Sequence, residues 1–244
     1  MIVGGVGLAV VVAGVAVLFG FRDLATPVVE EDIGLTVITG GGAPGDYGLY
    51  VYATTGYEST DALAGARHDY PAETYLTIQP GGCGTLVRWQ PLEQRYTEWD
   101  YCPDGTLAGW ATFHEWFRID NTDLWACAQP MPVQGEPGTS WSVECVKPDS
   151  EEAAAAREVI AYQVVGDEIL IIDGAEVETR HVRATSLEYE GTEGSATSDA
   201  WYLPGTLLVV RLVEETTSVT DSRIGPVQYT EVIELQLTSL LPQD

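Results

Sequence analysis

The feature that most restricts this chain is a period-two alternation through its C-terminal half. In the last such segment Tyr229, Glu231, Ile233, Leu235 and Leu237 alternate with Gln228, Thr230, Glu234, Gln236 and Thr238. Successive side chains of a strand point to opposite faces, so the first set shares one covered face. Residues 159–164, 168–172, 177–189, 200–203 and 207–213 read as further extended segments. Short turns at Asp173-Gly174, 191–194 and Pro204-Gly205 separate several of them. Strands joined by short turns predict an antiparallel meander. The N-terminal half adds aromatic and β-branched segments at 49–54, 73–79, 86–89 and 95–102. Residues 107–119 fit a helical and a strand period equally well. Residues 150–157, with Glu151-Glu152 and a run of alanines behind Ser150, have the composition of a short helix. Six of the seven tryptophans lie between Trp89 and Trp141.

Residues 2–21, which open on Ile2 and close on Phe21, carry no charged side chain and stop at Arg22-Asp23. As a helix this run is about 30 Å long, the thickness of a bilayer's hydrocarbon core. It has no basic residue before it and no small-residue cleavage site after it, which favours an uncleaved signal-anchor over a secretory signal. Gly5, Ala9, Ala13, Ala16 and Gly20 fall on one helical face at a spacing that lets membrane helices approach closely, either in a homodimer or on another membrane protein. The fold class expected is therefore mainly β, with an N-terminal transmembrane helix (1–22) and a flexible acidic, glycine-rich linker (23–46). One extracytoplasmic antiparallel domain (47–241), half-barrel or sandwich-like and with little helix, follows.

The chain of 244 residues has a net charge of −26 and a single lysine, Lys147. That surface repels phosphate backbones and anionic headgroups, which argues against nucleic-acid binding. Cys83, Cys102, Cys127 and Cys145 are an even set without a C-x-x-C pair, so staples in an oxidising compartment are expected rather than a zinc site. Of the three possible connectivities, Cys83–Cys102 and Cys127–Cys145 each bracket one out-and-back excursion of the chain. These cysteines place the domain outside the cell membrane and the N-terminus in the cytoplasm.

No Walker A, G-x-G-x-x-G, G-x-S-x-G or H-E-x-x-H pattern occurs, so no catalytic residue, metal or cofactor is assigned and a binding protein is expected rather than an enzyme. One constellation stands out. Glu231 falls on the covered face of the last strand, and in 177–189 His181 and Arg183 share a parity with Val177, Thr185, Leu187 and Tyr189. Buried charges need partners. His181, Arg183 and Glu231 are accordingly candidate ligand contacts at the floor of a cavity, or, for Arg183 and Glu231, an ion pair that fixes strand register. A one-residue bulge would reverse the parity and remove both readings.

The stretches Tyr50-Val51-Tyr52-Ala53-Thr54-Thr55-Gly56, Gly81-Gly82-Cys83-Gly84, Tyr101-Cys102-Pro103-Asp104-Gly105 and Trp201-Tyr202-Leu203-Pro204, with the closing segment 229–240, resemble a group of uncharacterised actinobacterial proteins. Those join a membrane anchor to an extracytoplasmic domain, and the likeness brings no activity with it. The late meander is also similar in style to the LolA/LppX-type lipoprotein carriers, which implies a sheet wrapped around a hydrophobic cavity and a lipid-like ligand. The rival expectation is a structural or protein-interaction module of the envelope with a filled core.

Overall fold

The computed structural model describes residues 25–33, 43–62, 65–148, 155–222 and 225–243. Among them thirteen β-strands follow one another: β1 (Gly48–Thr60), β2 (Ala66–Asp69), β3 (Glu73–Gly81), β4 (Gly84–Leu92), β5 (Arg95–Tyr101), β6 (Thr106–Trp116) and β7 (Ile119–Pro132). The second half comprises β8 (Ser140–Lys147), β9 (Ala156–Ile172), β10 (Ala175–Tyr189), β11 (Thr192–Tyr202), β12 (Val209–Ser222) and β13 (Gly225–Leu237). Each pairs antiparallel with its neighbour from β3 to β13, and β13 returns to β1 in a register running from Tyr52↔Leu237 to Thr60↔Tyr229. The sheet is thus a closed barrel of twelve strands, with β2 as a short thirteenth. β1 divides one edge between two partners, β3 along 48–53 and β2 along 57–60.

The open half-barrel or sandwich expected behind a transmembrane helix is corrected by this closure. A meander of long, twisted strands leaves two unpaired edges, and pairing first strand with last removes both. Among the described residues no helix is long and apolar enough to cross a membrane, and a three-residue 3-10 segment spans Glu30–Asp32. The anchor run, with Gly5, Ala9, Ala13, Ala16 and Gly20, lies outside the described residues, as does most of the alanine-rich stretch read as helical.

Two local features shape the barrel. Gly56 sits where β1 changes partners, with φ 143°, and a Cβ there would lie 2.0 Å from the Val232 carbonyl oxygen. Only glycine lets β13 approach that closely. The ambiguous segment 107–119 resolves as the β6–β7 hairpin, turned at Phe117 and Arg118 with φ of 55° and 66°. Two consecutive positive φ values match a tight turn to the twist of the flanking strands, at some cost for non-glycine residues.

The two ends of the barrel differ. The end where β1 begins is filled by Tyr50, Tyr52, Ile78, Tyr101, Leu107, Leu208, Val210 and Leu237, all buried in one apolar cluster. Cys83–Cys102 staples that end, and Cys127–Cys145 crosses from β7 to β8; both are the expected pairs. The segment 25–33 lies outside the barrel. It bridges Pro27 to Leu92, and Ile33 packs on the outward-facing Leu49, Val51 and Tyr75.

Candidate functional site

Alternation along each strand assigns the interior. Inward positions at the second end, where β1 finishes, are not filled as the first end is, and a cavity of about 410 Å³ lies there. Its two walls have different chemistry. Trp89, Trp99, Trp110, Trp116 and Trp125 of β4–β7 line one side, with Trp110 and Trp125 stacked at 5.4 Å across the hairpin. Facing positions on β10 and β11 are small: Ala184, Ser186, Ala196 and Ser198. The space exists because these strands present small side chains where the first end presents tyrosines and leucines.

A charged network closes one flank of the chamber. Arg95, 3 % exposed, grips Glu231 with two hydrogen bonds, Nε to Oε1 at 3.1 Å and Nη2 to Oε2 at 3.0 Å, and Nη1 donates to the Thr97 hydroxyl at 2.6 Å. The Tyr70 hydroxyl donates to the same Glu231 carboxylate. Glu58 lies beside it, fully buried, 3.8 Å from Arg95 Nε. His68 Nδ1 meets Glu58 Oε1 at 2.8 Å, His114 Nδ1 meets Oε2 at 2.9 Å, and the Tyr229 hydroxyl donates to Oε2 at 3.2 Å. His68 stacks on Trp116 at 4.1 Å. Five strands, β1, β2, β5, β6 and β13, thus meet in one hydrogen-bonded unit, which satisfies the buried charges.

Burial alone would raise the Glu58 carboxyl. The hydrogen bonds from His114 and His68, with the charges of His114 and Arg95, outweigh it and hold the group at about 2. The other carboxyls of the chamber behave oppositely. Desolvation first, and Glu231 second, push Glu214 up to about 7, against weaker opposition from Arg95 and Thr216. Glu188 is pushed to about 7 by desolvation, with Glu158 and Asp123 adding to the rise and Lys147 and Thr192 opposing it. Burial also raises Glu158, against a smaller opposing effect of the Ser186 hydroxyl. Asp123 is 3.3 Å from the Lys147 ammonium, which also lies 5.5 Å from the Trp125 ring.

The pH dependence of stability follows. Glu58, near 2 when folded against 4.5 unfolded, stabilises the fold fully above pH 4.5, and that contribution is lost as pH falls toward 2. Glu188 and Glu214, near 7 when folded against 4.5, stabilise it fully below pH 4.5, and that contribution is lost as pH rises through 7. Thermal midpoints measured from pH 3 to 9 are expected to peak between about 4.5 and 6 and to decline toward pH 8. A midpoint that climbs steadily from pH 5 to 8 would contradict these assignments.

Of the three candidate contacts, only Glu231 faces the chamber. β10 stays regular, but the bulge between it and β9 skips Val165, and the parity shared by His181, Arg183, Thr185 and Leu187 is the outer one in the barrel wall. Leu187 is 65 % exposed, whereas Ala184 and Ser186, between these positions, line the cavity. Arg183 pairs with Asp199 at 2.9 Å and borders an open outer depression with Ser140, Trp141 and Thr185. His181 is buried on the outside, stacked on Trp201 at 4.3 Å between Glu168 Oε1 (2.7 Å) and Asp199 Oδ1 (2.6 Å). The expected Arg183–Glu231 ion pair is thus replaced by Arg95–Glu231 inside and Arg183–Asp199 outside. The parity misled because Val177 and Thr179, near the hairpin end, are buried on that same side. Arg95 followed at period two by Thr97 and Trp99 was the signal for the true partner.

The fold and site define a closed antiparallel β-barrel with a chamber at one end, walled by tryptophans and flanked by carboxylates. No protein-family model matches the chain, and no curated protein matches it. Among solved structures it is similar to the hypothetical lipoprotein YmcC from Escherichia coli (K12), at 11 % identity and a TM-score of 0.35, over 74 % of this chain and 85 % of that one. It is also similar to a candidate lipoprotein from Parabacteroides distasonis, at 12 % identity and a TM-score of 0.31, over 80 % and 97 %. This is a distant likeness of β architecture alone.

Proposed function

We propose that this chain is an extracytoplasmic binding protein that holds a small ligand in the chamber of its barrel and releases it unchanged. The observation that carries this reading is the cavity of about 410 Å³ inside an otherwise closed and stapled barrel. A chamber of that size is in the range of small-molecule sites, and its tryptophan wall faces carboxyls and hydroxyls that could orient a ligand. Two disulfides support the compartment, because such bonds persist where thiols are oxidised. The imidazole of His114 and the guanidinium of Arg95 are held on carboxylates, an arrangement suited to shaping a wall. A lipid-like ligand fits the tryptophan side, but the carboxylates require it to carry a polar or charged group as well. The filled first end meets the needs of a structural module, and the chamber at the second end argues for binding.

Native mass spectrometry of the full chain, purified from its own host without detergent, tests this. A discrete added mass released by organic extraction is expected. A homogeneous apo mass that stays unchanged after incubation with host extract would contradict the reading.

A further inference from the structure

The charge of the chamber limits what it can hold. Asp123, Glu158, Glu188, Glu214 and Glu231 border the cavity, against one permanent cation, Arg95. Arg95 is committed to Glu231, and Lys147, on the inward parity of β8, is 3.3 Å from Asp123 and also acts on Glu188. The nearby hydroxyls of Ser186, Thr192 and Thr216 favour ionisation of Glu158, Glu188 and Glu214 only weakly, and none of the three makes an ion pair among the described residues. Three such carboxyls inside a closed barrel are costly as anions unless something positive joins them. Trp99, Trp110 and Trp125 line the same cavity, and indole rings attract a cation through their quadrupole, as Trp125 already does with Lys147. Asn121, also on the cavity wall, has its side-chain oxygen buried without a hydrogen-bond partner among the described residues, so an N–H donor is a complement it could take.

Resting on the chamber reading above, we propose that the ligand is an organic ammonium ion: a protonated amine on an apolar body, its head among Glu158, Glu188 and Glu214 and its body against the tryptophans. An anionic amphiphile such as a fatty acid would place a carboxylate among carboxylates, and like charges disfavour it. A neutral alcohol gains the apolar contact without the charge.

Binding of a cation favours the ionised carboxyls, so it releases protons and strengthens as pH rises through about 7. The groups that set this response are known on every side. Glu214 faces Glu231, Arg95, Glu158 and Thr216. Glu188 faces Lys147, Glu158, Asp123 and Thr192.

The test is a fluorescence titration of the full chain, following the chamber tryptophans, with n-octylammonium, octanoate and 1-octanol at pH 5.5 and 8. The expected result is octylammonium binding at least tenfold tighter than either of the others at pH 8, with a smaller preference at pH 5.5. Glu214→Gln is expected to lose most of that preference and keep its affinity for octanol; Glu188→Gln provides the same readout at a second position. Both replace a strained carboxyl with a neutral isostere, so neither should impair folding. Octanol or octanoate binding as tightly as octylammonium would overturn the ammonium assignment and leave the chamber reading standing. So would a preference that survives both substitutions. No saturable binding of any probe would overturn both.

Discussion

Arg95→Ala is expected to be the most damaging single substitution in the barrel. It removes the only guanidinium among the described residues that touches Glu231 and lies near Glu58, two carboxylates that are 4 % and 0 % exposed. Breaking a buried ion pair by deleting one partner typically costs about 3–5 kcal/mol, because the surviving charge is left without solvent or counter-ion. Here two survive. Tyr70 and the two histidines offer hydrogen bonds in compensation, so the unit loses its net balance while keeping some of its geometry. Urea unfolding should show the midpoint falling sharply with the slope retained. Arg95→Lys is expected to restore part of the loss, since an ammonium supplies charge but not the two-pronged grip. The paired change Arg95→Met with Glu231→Leu should recover more than Arg95→Met alone. An Arg95→Ala protein within about 1 kcal/mol of the wild type would show that the network does not hold this flank of the barrel.

The second large effect is expected at Cys127–Cys145. Among the described residues β7 and β8 are joined in register only at Ala126↔Val146 and Cys127↔Cys145, so the disulfide sits on the thinnest seam of the barrel. Every other neighbouring pair in the closed sheet has a longer ladder. Replacing both cysteines by serine should cost about 3 kcal/mol through the unfolded chain alone, given a closed loop of this size. The same change at Cys83–Cys102 has nearly the same loop entropy, but that staple joins segments already held by the β4–β5 ladder. Native-state hydrogen exchange separates the two. Loss of Cys127–Cys145 should raise exchange selectively in β8, while loss of Cys83–Cys102 should leave β8 protected. Equal exchange profiles would mean the seam is held by something other than the disulfide.

Much of this was legible in the sequence. The alternation from Tyr229 to Leu237 assigned the inward face of β13 and placed Glu231 on it, and the cysteine spacing gave both pairs. Closure was not legible, because it depends on Gly56 letting the two terminal strands touch, a contact across most of the chain length. The small-residue segment Gly191-Thr192-Glu193-Gly194-Ser195-Ala196-Thr197-Ser198 has the composition of a turn, yet it forms most of β11. Strand context overrode local propensity there, and those same small residues leave the chamber open. His181 and Arg183 were misplaced because burial by neighbours on the outer surface imitates the pattern of an inner face. The period-two run of Arg95, Thr97 and Trp99 marks the arginine as inward-facing, but its partner Glu231 is 136 positions away and nothing local points to it.

The central claim, that one end of the barrel is a chamber and not a core, is tested most directly by filling it. Ala196 lines the cavity between Ser186 and Thr216, its neighbours in register on β10 and β12. Inserting a large side chain into a packed interior costs about 1–3 kcal/mol, whereas vacant space accepts it with little loss. The urea-unfolding free energy of Ala196→Trp is predicted to stay within about 0.5 kcal/mol of the wild type, while the co-purified mass is lost. Destabilisation by about 2 kcal/mol or more, with any bound mass unchanged, would show a filled core at this end and contradict the account.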